Sequence, residues 1–281
     1  MQLNVFHRGM SSGGVSWGLQ NRLARIIKPN TKRTVMLAVD HGYFLGPIKG
    51  LENPRRTITP LLPYADALML TRGVLRTSVD PTADVAIVLR VSGGNTIAGP
   101  ALGNEDIVTS IRDAIRLNAA ALAFSIYVGT QYEHQTLKAL AKLVDLGEDY
   151  GIPILAVTAV GRELEKRETK YIALACRVAA ELGAHFIKTY YTPEFEKVVD
   201  AAPVPLVIAG GPKLESELDA LQLAYDAVSA GAAGVDFGRN VFQSSNPVGM
   251  IRALRRIVHE GWTPKEAAQE LGQVVGGQAA R

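Results

Sequence analysis

Eight short runs of residues, apolar almost throughout, limit what this chain can fold into more than any other feature of its sequence. They lie at 34–39, 67–70, 86–91, 121–127, 154–158, 185–189, 206–209 and 234–237. A strand with one face in water alternates apolar and polar residues, whereas a strand covered on both faces reads as a continuous apolar run. Longer stretches with helical spacing separate the runs, at 105–117, 133–150, 170–182, 216–230 and 247–260. Strand–helix alternation builds parallel βαβ units. Eight strands close a (β/α)8 barrel, so the expected fold is α/β, a single TIM barrel over 34–261. The rival topology is an open, doubly wound sheet. Its first strand would run into a Gly-x-Gly-x-x-Gly turn, but here Asp40-His41-Gly42 follows the first strand. The connections from the second to the third strand and from the sixth to the seventh are short.

Two end segments fall outside the repeat. Residues 1–33 form an N-terminal extension with a short helix near Trp17, Leu19 and Leu23. Residues 262–281 open on Thr263-Pro264, a helix cap with proline at the first helical position, and end in a frayed tail over 276–281.

Composition excludes several classes. Of 281 residues, 47% are hydrophobic, enough for one large core. The net charge of +3 is small and the basic residues are scattered, which argues against a nucleic-acid partner. The mildly basic balance fits anionic substrates. The single cysteine, Cys176, has no partner for an intramolecular disulfide, and its helical, Ala- and Leu-rich surroundings fit a buried structural thiol. Residues 1–14 lack the apolar core of a signal peptide, and no window approaches the roughly 18 apolar residues of a membrane span. The expectation is a soluble cytoplasmic protein with no membrane partner.

In a barrel, chemistry sits at the C-terminal ends of the strands. The first strand ends in Asp40 and His41. A carboxylate there either pairs with a lysine ammonium and moves protons or caps a loop. The third ends in Arg90, a cation for substrate or for structure. The fourth ends in Tyr127, whose phenol either transfers a proton or packs with a satisfied hydroxyl. His134 follows on a helix surface.

The sixth strand carries Lys188 between Ile187 and Thr189. Lysine is depleted in buried strands because an isolated charge is costly there. One reason for its presence is catalysis: burial favours the neutral amine, which attacks carbonyls and forms an iminium electron sink. The other is a structural salt bridge or a stem that snorkels to the rim. His185, on the same strand, faces outward by alternation. The seventh strand ends in Gly210-Gly211 and the eighth in Gly238-Arg239. Barrels often hold phosphate there, with glycines letting backbone N–H groups approach the anion and arginine adding charge. Ordinary turn geometry is the alternative. The five histidines show no metal-ligand spacing with one another or with Cys176, so no metal site is expected.

The stretches Ala38-Val39-Asp40-His41-Gly42, Tyr127-Val128-Gly129-Thr130, Ile187-Lys188-Thr189-Tyr190-Tyr191, Ile208-Ala209-Gly210-Gly211 and Gly238-Arg239-Asn240 together resemble the class I aldolase family that includes the archaeal-type fructose-bisphosphate aldolases. The likeness runs from about Trp17 to the last helix. It implies a Schiff-base lysine at Lys188, a strand-1 aspartate at Asp40, an acid/base tyrosine at Tyr127, and substrate contacts from His41, Gly210, Gly211, Gly238 and Arg239. Further stretches, Tyr132-Glu133-His134-Gln135 and Gly238–Ser244 among them, are similar to acyl-transferring members of that family. Those imply transfer of an acetyl group from a phosphorylated dione to coenzyme A as co-substrate, with no covalently bound cofactor. They also imply a cytoplasmic homodecamer that works in autoinducer-2 quorum sensing. One departure is Gly211-Pro212-Lys213, a pattern that many of the aldolases share, where the acyl-transferring members are expected to have lysine directly after the glycines. A sugar-phosphate aldolase and a non-catalytic phosphosugar-binding barrel are the competing functions.

Overall fold

All eight apolar runs form parallel strands of one closed barrel in the computed structural model, which describes residues 16–160 and 168–272. In chain order they are β1 (Thr34–Ala38), β2 (Ala67–Thr71), β3 (Ala86–Arg90), β6 (Ala121–Val128), β7 (Ile154–Val160), β8 (Phe186–Thr189), β9 (Leu206–Ala209) and β10 (Gly234–Phe237). Two further short strands, β4 (Ser92–Gly93) and β5 (Asp106–Ile107), pair antiparallel outside the barrel. The ring closes through β1, which pairs with both β10 and β2. The short second-to-third and sixth-to-seventh connections each hold one seven-residue helix, Arg72–Ser78 and Phe195–Ala201.

Alternation along each strand sorts the core into two regions. One set of residues faces the helices and merges with their apolar faces into the larger cluster, which includes Leu37, Leu68, Phe124, Ile187, Ile208 and Phe237. The other set points into the barrel, where Met36, Met69, Val88, Leu155, Phe186 and Val207 fill the lower layers. That interior is a packed core, as the side-chain layers of such barrels are. The helix Trp17–Ile26, N-capped by Ser16, closes the bottom by joining Leu23, Ile26 and Ile27 to this inner cluster. The sequence expected a short helix in this extension, and it is there; residues 1–15 and the 276–281 tail lie outside the described residues.

Local chemistry sets the helix ends. Asn246 caps the helix Pro247–Glu260, with Pro247 at its first position, and Gly261 ends it in the left-handed region. Thr263 caps the next helix with Pro264 at its first position, as expected, and Glu266 completes a capping box with it. One expectation fails. The helix predicted over 105–117 is only Ile111–Arg116, N-capped by Ser110. Residues before the cap belong to the β4–β5 hairpin, because the β-branched run Ile107-Val108-Thr109 favours extended backbone. Among the described residues no helix is long and apolar enough to cross a membrane.

Candidate active site

Above the apolar layers the inward-facing positions turn polar. Asp40 follows β1, Arg90 ends β3, Ser125 and Tyr127 lie on β6, Lys188 on β8 and Asp236 on β10. They line a cavity of about 280 Å³ at the C-terminal mouth of the barrel. The loop joining β4 to β5 covers part of this mouth with Asn95 and Leu102, and its Ile97 N–H donates to Phe44 O at 3.0 Å.

The cavity holds a chain of buried charges. Lys188 Nζ lies 2.7 Å from Asp236 Oδ2, and both side chains are buried. The lysine also approaches Met69 Sδ, in the apolar layer below, at 3.7 Å. Oδ1 of Asp236 has no hydrogen-bond partner. Burial pushes the Asp236 carboxyl above the usual carboxylate range, against the pull of the Lys188 ammonium. Asp40 is the reverse case. Arg90 donates to its Oδ2 through Nε and Nη2, each at 2.9 Å. Burial opposes the Asp40 charge, but Arg90, with Lys188 and His41 behind it, holds the carboxyl below its ordinary value. The sequence reading offered Asp40 as the lysine's ion-pair partner; the pair is Lys188–Asp236, because Arg90 occupies Asp40. Arg90 is thereby the structural cation of its two readings: Nη1 also donates to Ser125 Oγ at 2.5 Å and Ser92 Oγ at 3.2 Å.

Tyr127 belongs to a second network. Its hydroxyl donates to Glu105 Oε1 at 2.7 Å, and Tyr43 donates to the same oxygen at 2.6 Å. Ser92 Oγ donates to Oε2 at 2.6 Å. Burial raises both phenols, and the Glu105 charge raises them further, so each stays protonated at neutral pH. A phenol already aimed at a carboxylate is a ready donor–acceptor pair for moving a proton into or out of the cavity.

The remaining predicted residues line the same cavity. His41 packs edge-on against Phe242, with ring centroids 5.7 Å apart. Burial depresses its imidazole to about 4, aided by the nearby cations and opposed by Asp40, so it is neutral near pH 7. Gly211 takes a left-handed φ of +67°. Asn240 fixes this turn by donating to Gly210 O at 2.8 Å and Pro212 O at 3.0 Å while accepting from Leu214 N at 2.9 Å. Gly238 touches the strand-1 loop so closely that a Cβ would stand 2.4 Å from His41 Cε1. Gly210, Gly211, Gly238 and Arg239 therefore line one side of the cavity that Lys188 enters. His134 is exposed, Cys176 is buried, and His185 lies outside the barrel, accepting from Ile154 N and bonded to Glu148.

Sequence reasoning missed Glu105, Tyr43, Ser125 and Asp236. The period of two on β10, with Gly238 on the rim, was the available signal for Asp236. Glu105 had none, since it reaches Tyr127 only through the hairpin. Among the described residues no group of three or more His, Cys, Asp or Glu side chains is arranged to hold a metal ion.

A barrel with a buried lysine at its mouth defines a class, and residues 34–244 match it: the chain belongs to the DeoC/LacD family of aldolases. Within the family its likeness is specific. The 3-hydroxy-5-phosphonooxypentane-2,4-dione thiolase of Enterobacter sp. (strain 638) is 50% identical over 269 residues, covering 95% of this chain and 90% of that one. The thiolase of the same name from Yersinia pseudotuberculosis (strain YPIII) is 51% identical over 259 residues, with 92% and 88% covered. Among solved structures, an archaeal fructose 1,6-bisphosphate aldolase, 28% identical, superposes with a TM-score of 0.78 over 86% of this chain and all of that one. An archaeal fructose-1,6-bisphosphate aldolase whose catalytic lysine is covalently bound to the carbinolamine intermediate is 27% identical, with a TM-score of 0.79 over 86% of this chain and 99% of that one.

Proposed function

We propose that this enzyme transfers the acetyl group of 3-hydroxy-5-phosphonooxypentane-2,4-dione to coenzyme A, giving acetyl-CoA and dihydroxyacetone phosphate, through a Schiff base on Lys188. The observation that carries the reading is a buried lysine amine opening into a cavity that also presents two glycine turns and Arg239. Half-identity to thiolases of that name over nearly the whole chain supports the choice of substrate.

The chemistry follows from the geometry. The glycine turns and Arg239 hold the phosphate, and binding energy from that remote anion sets the neighbouring ketone against Lys188 Nζ. Amine and ketone condense to an iminium with loss of water. The coenzyme A thiolate adds to the acetyl carbonyl. The bond between that carbon and the hydroxyl-bearing carbon then breaks, its electron pair flowing into the iminium to leave an enamine. Tyr127, backed by Glu105, protonates the enamine carbon, and hydrolysis frees dihydroxyacetone phosphate and the lysine. Asp40, kept anionic by Arg90, supplies fixed negative charge beside the cationic intermediates. Coenzyme A is a co-substrate here, and the reaction needs no covalently bound cofactor. The same reading takes the enzyme to be a cytoplasmic homodecamer acting late in the processing of the phosphorylated autoinducer-2 signal.

The test is borohydride reduction in the presence of the phosphorylated dione or of dihydroxyacetone phosphate, with mass analysis of the peptide containing Lys188. A reduced adduct on Lys188, absent in Lys188→Ala, is the expected result. Acetyl-CoA forming from the dione and coenzyme A, without triose release from fructose 1,6-bisphosphate, supports the acyl transfer. Triose release without acetyl-CoA would make the enzyme a sugar-phosphate aldolase, the second reading that the archaeal structures favour.

A further inference from the structure

We propose that Asp236 is a catalytic residue: it takes the proton from Lys188 when the amine attacks, and returns it to the hydroxyl that leaves as the Schiff base forms. The inference deepens the lysine mechanism above and rests on it.

Three buried carboxylates line this cavity; Glu105 is held by Tyr127, Tyr43 and Ser92, and the surroundings of the other two, Asp40 and Asp236, assign them opposite work. Asp40 receives two guanidinium N–H groups on one oxygen, so its negative charge is spoken for and it is a weak base. Asp236 meets a single cationic group within ion-pair distance, Lys188 Nζ at 2.7 Å, and has a second oxygen without a partner. The charged groups that act on it are Lys188 on β8, Asp40 after β1 and Arg90 on β3. An isolated carboxylate in such surroundings gains from becoming neutral. The raised proton affinity of Asp236 agrees with that placement. Two carboxyls pushed in opposite directions mark separate roles, one a fixed charge and one a proton carrier.

The step balances. The resting pair is an ammonium and a carboxylate, with no net charge. Proton transfer across the 2.7 Å contact gives amine and carboxylic acid, again neutral. The nitrogen lone pair forms the C–N bond, and the ketone oxygen takes the proton that the nitrogen then sheds, which gives the carbinolamine. Its C–O bond breaks as Asp236 gives its proton to the departing hydroxyl. Water leaves, and the products are an iminium and a carboxylate, neutral once more. No outside acid or base is needed.

Asp236→Asn tests this, because it keeps the side chain's shape but cannot carry the proton. Trapping by borohydride with dihydroxyacetone phosphate is followed as a rate, and folding is checked by circular dichroism. The expected result is trapping at least about 100-fold slower than in the parent, the usual scale for loss of a positioned acid–base group. Formate should partly restore the rate in Asp236→Ala by standing in for the missing carboxylate, a rescue that a merely structural role would not permit. Were Asp236 only a counter-charge, its loss would release the amine. Trapping as fast as in the parent, or faster, with no response to formate therefore overturns the proposal. If Asp236→Asn fails to fold, the formate response of Asp236→Ala and the rate of Asp236→Glu decide it. Parent enzyme that fails to trap at Lys188 would instead refute the Schiff-base reading itself, so the two failures are distinct.

Discussion

Arg90→Met removes one partner of the buried Arg90–Asp40 pair while leaving an unbranched side chain to fill the barrel. In the native protein Nε and Nη2 both donate to Asp40 Oδ2 at 2.9 Å, and both side chains are buried. Breaking such a pair from one side costs about 3–5 kcal/mol, because the remaining charge is left uncompensated. Lys188 also acts on Asp40, so the lower end, about 3 kcal/mol, is expected near neutral pH. For a chain of this length each kcal/mol shifts the melting temperature by about 2–4 °C, which predicts a fall of about 6–12 °C. The pH dependence is the sharper test. In the native state the Asp40 carboxyl is held below its unfolded value of about 4. The pair therefore contributes stability above that value and loses it as pH falls through the folded one. In the variant the sign reverses. A buried carboxyl without the guanidinium is raised, and stability is lost as pH climbs through the raised value. The deficit should accordingly shrink from about pH 8 to about pH 5 in thermal melts of both proteins. A deficit below about 1 kcal/mol at the higher pH, or one that does not change with pH, refutes the assignment of Asp40 as an anion held by Arg90.

Two further outcomes follow from the cavity. Tyr127→Phe removes the donor at 2.7 Å from Glu105 Oε1 but leaves Tyr43 and Ser92 on that carboxylate. Steady-state kinetics should show turnover reduced by about 10²–10⁴-fold with a stability change within about 1.5 kcal/mol; undiminished turnover removes Tyr127 from the mechanism. Gly238→Ala puts a Cβ 2.4 Å from His41 Cε1 and 2.5 Å from Ala38 O. The rim must shift, at a cost of about 1–3 kcal/mol. KM for the phosphorylated substrate should rise at least about tenfold, the equivalent of one charge-assisted hydrogen bond, and an unchanged KM would show that this turn does not hold the phosphate.

The barrel was legible because burial on both faces leaves a direct record in sequence. A covered strand admits almost no polar residue, so each of the eight runs announces itself, and Ser110, Ser216, Asn246 and Thr263 mark helix starts by side-chain chemistry that acts over three residues. Lys188 stood out for the same reason: a charge within an apolar run contradicts its surroundings unless it has work there. The resemblance to class I aldolases carried its role further than the strand pattern could. The helix expected from Glu105 failed because helical spacing was read through a β-branched segment that belongs to a hairpin.

What the chain by itself determined, then, is the number and kind of elements, their caps, and which strand ends carry ionisable groups. What only the closed barrel decided is which of those groups meet. Asp40 and Asp236 are 196 positions apart in sequence and look alike there; closure of β1 onto β10 brings them into one cavity. The strand register then gives Arg90 to the first and Lys188 to the second. The physical reason is that charge pairing depends on distances of a few ångströms across neighbouring strands, whereas sequence pattern reports only the environment of each strand along its own length. A lysine can be recognised as buried from its neighbours in the chain; the base that serves it is set by the fold.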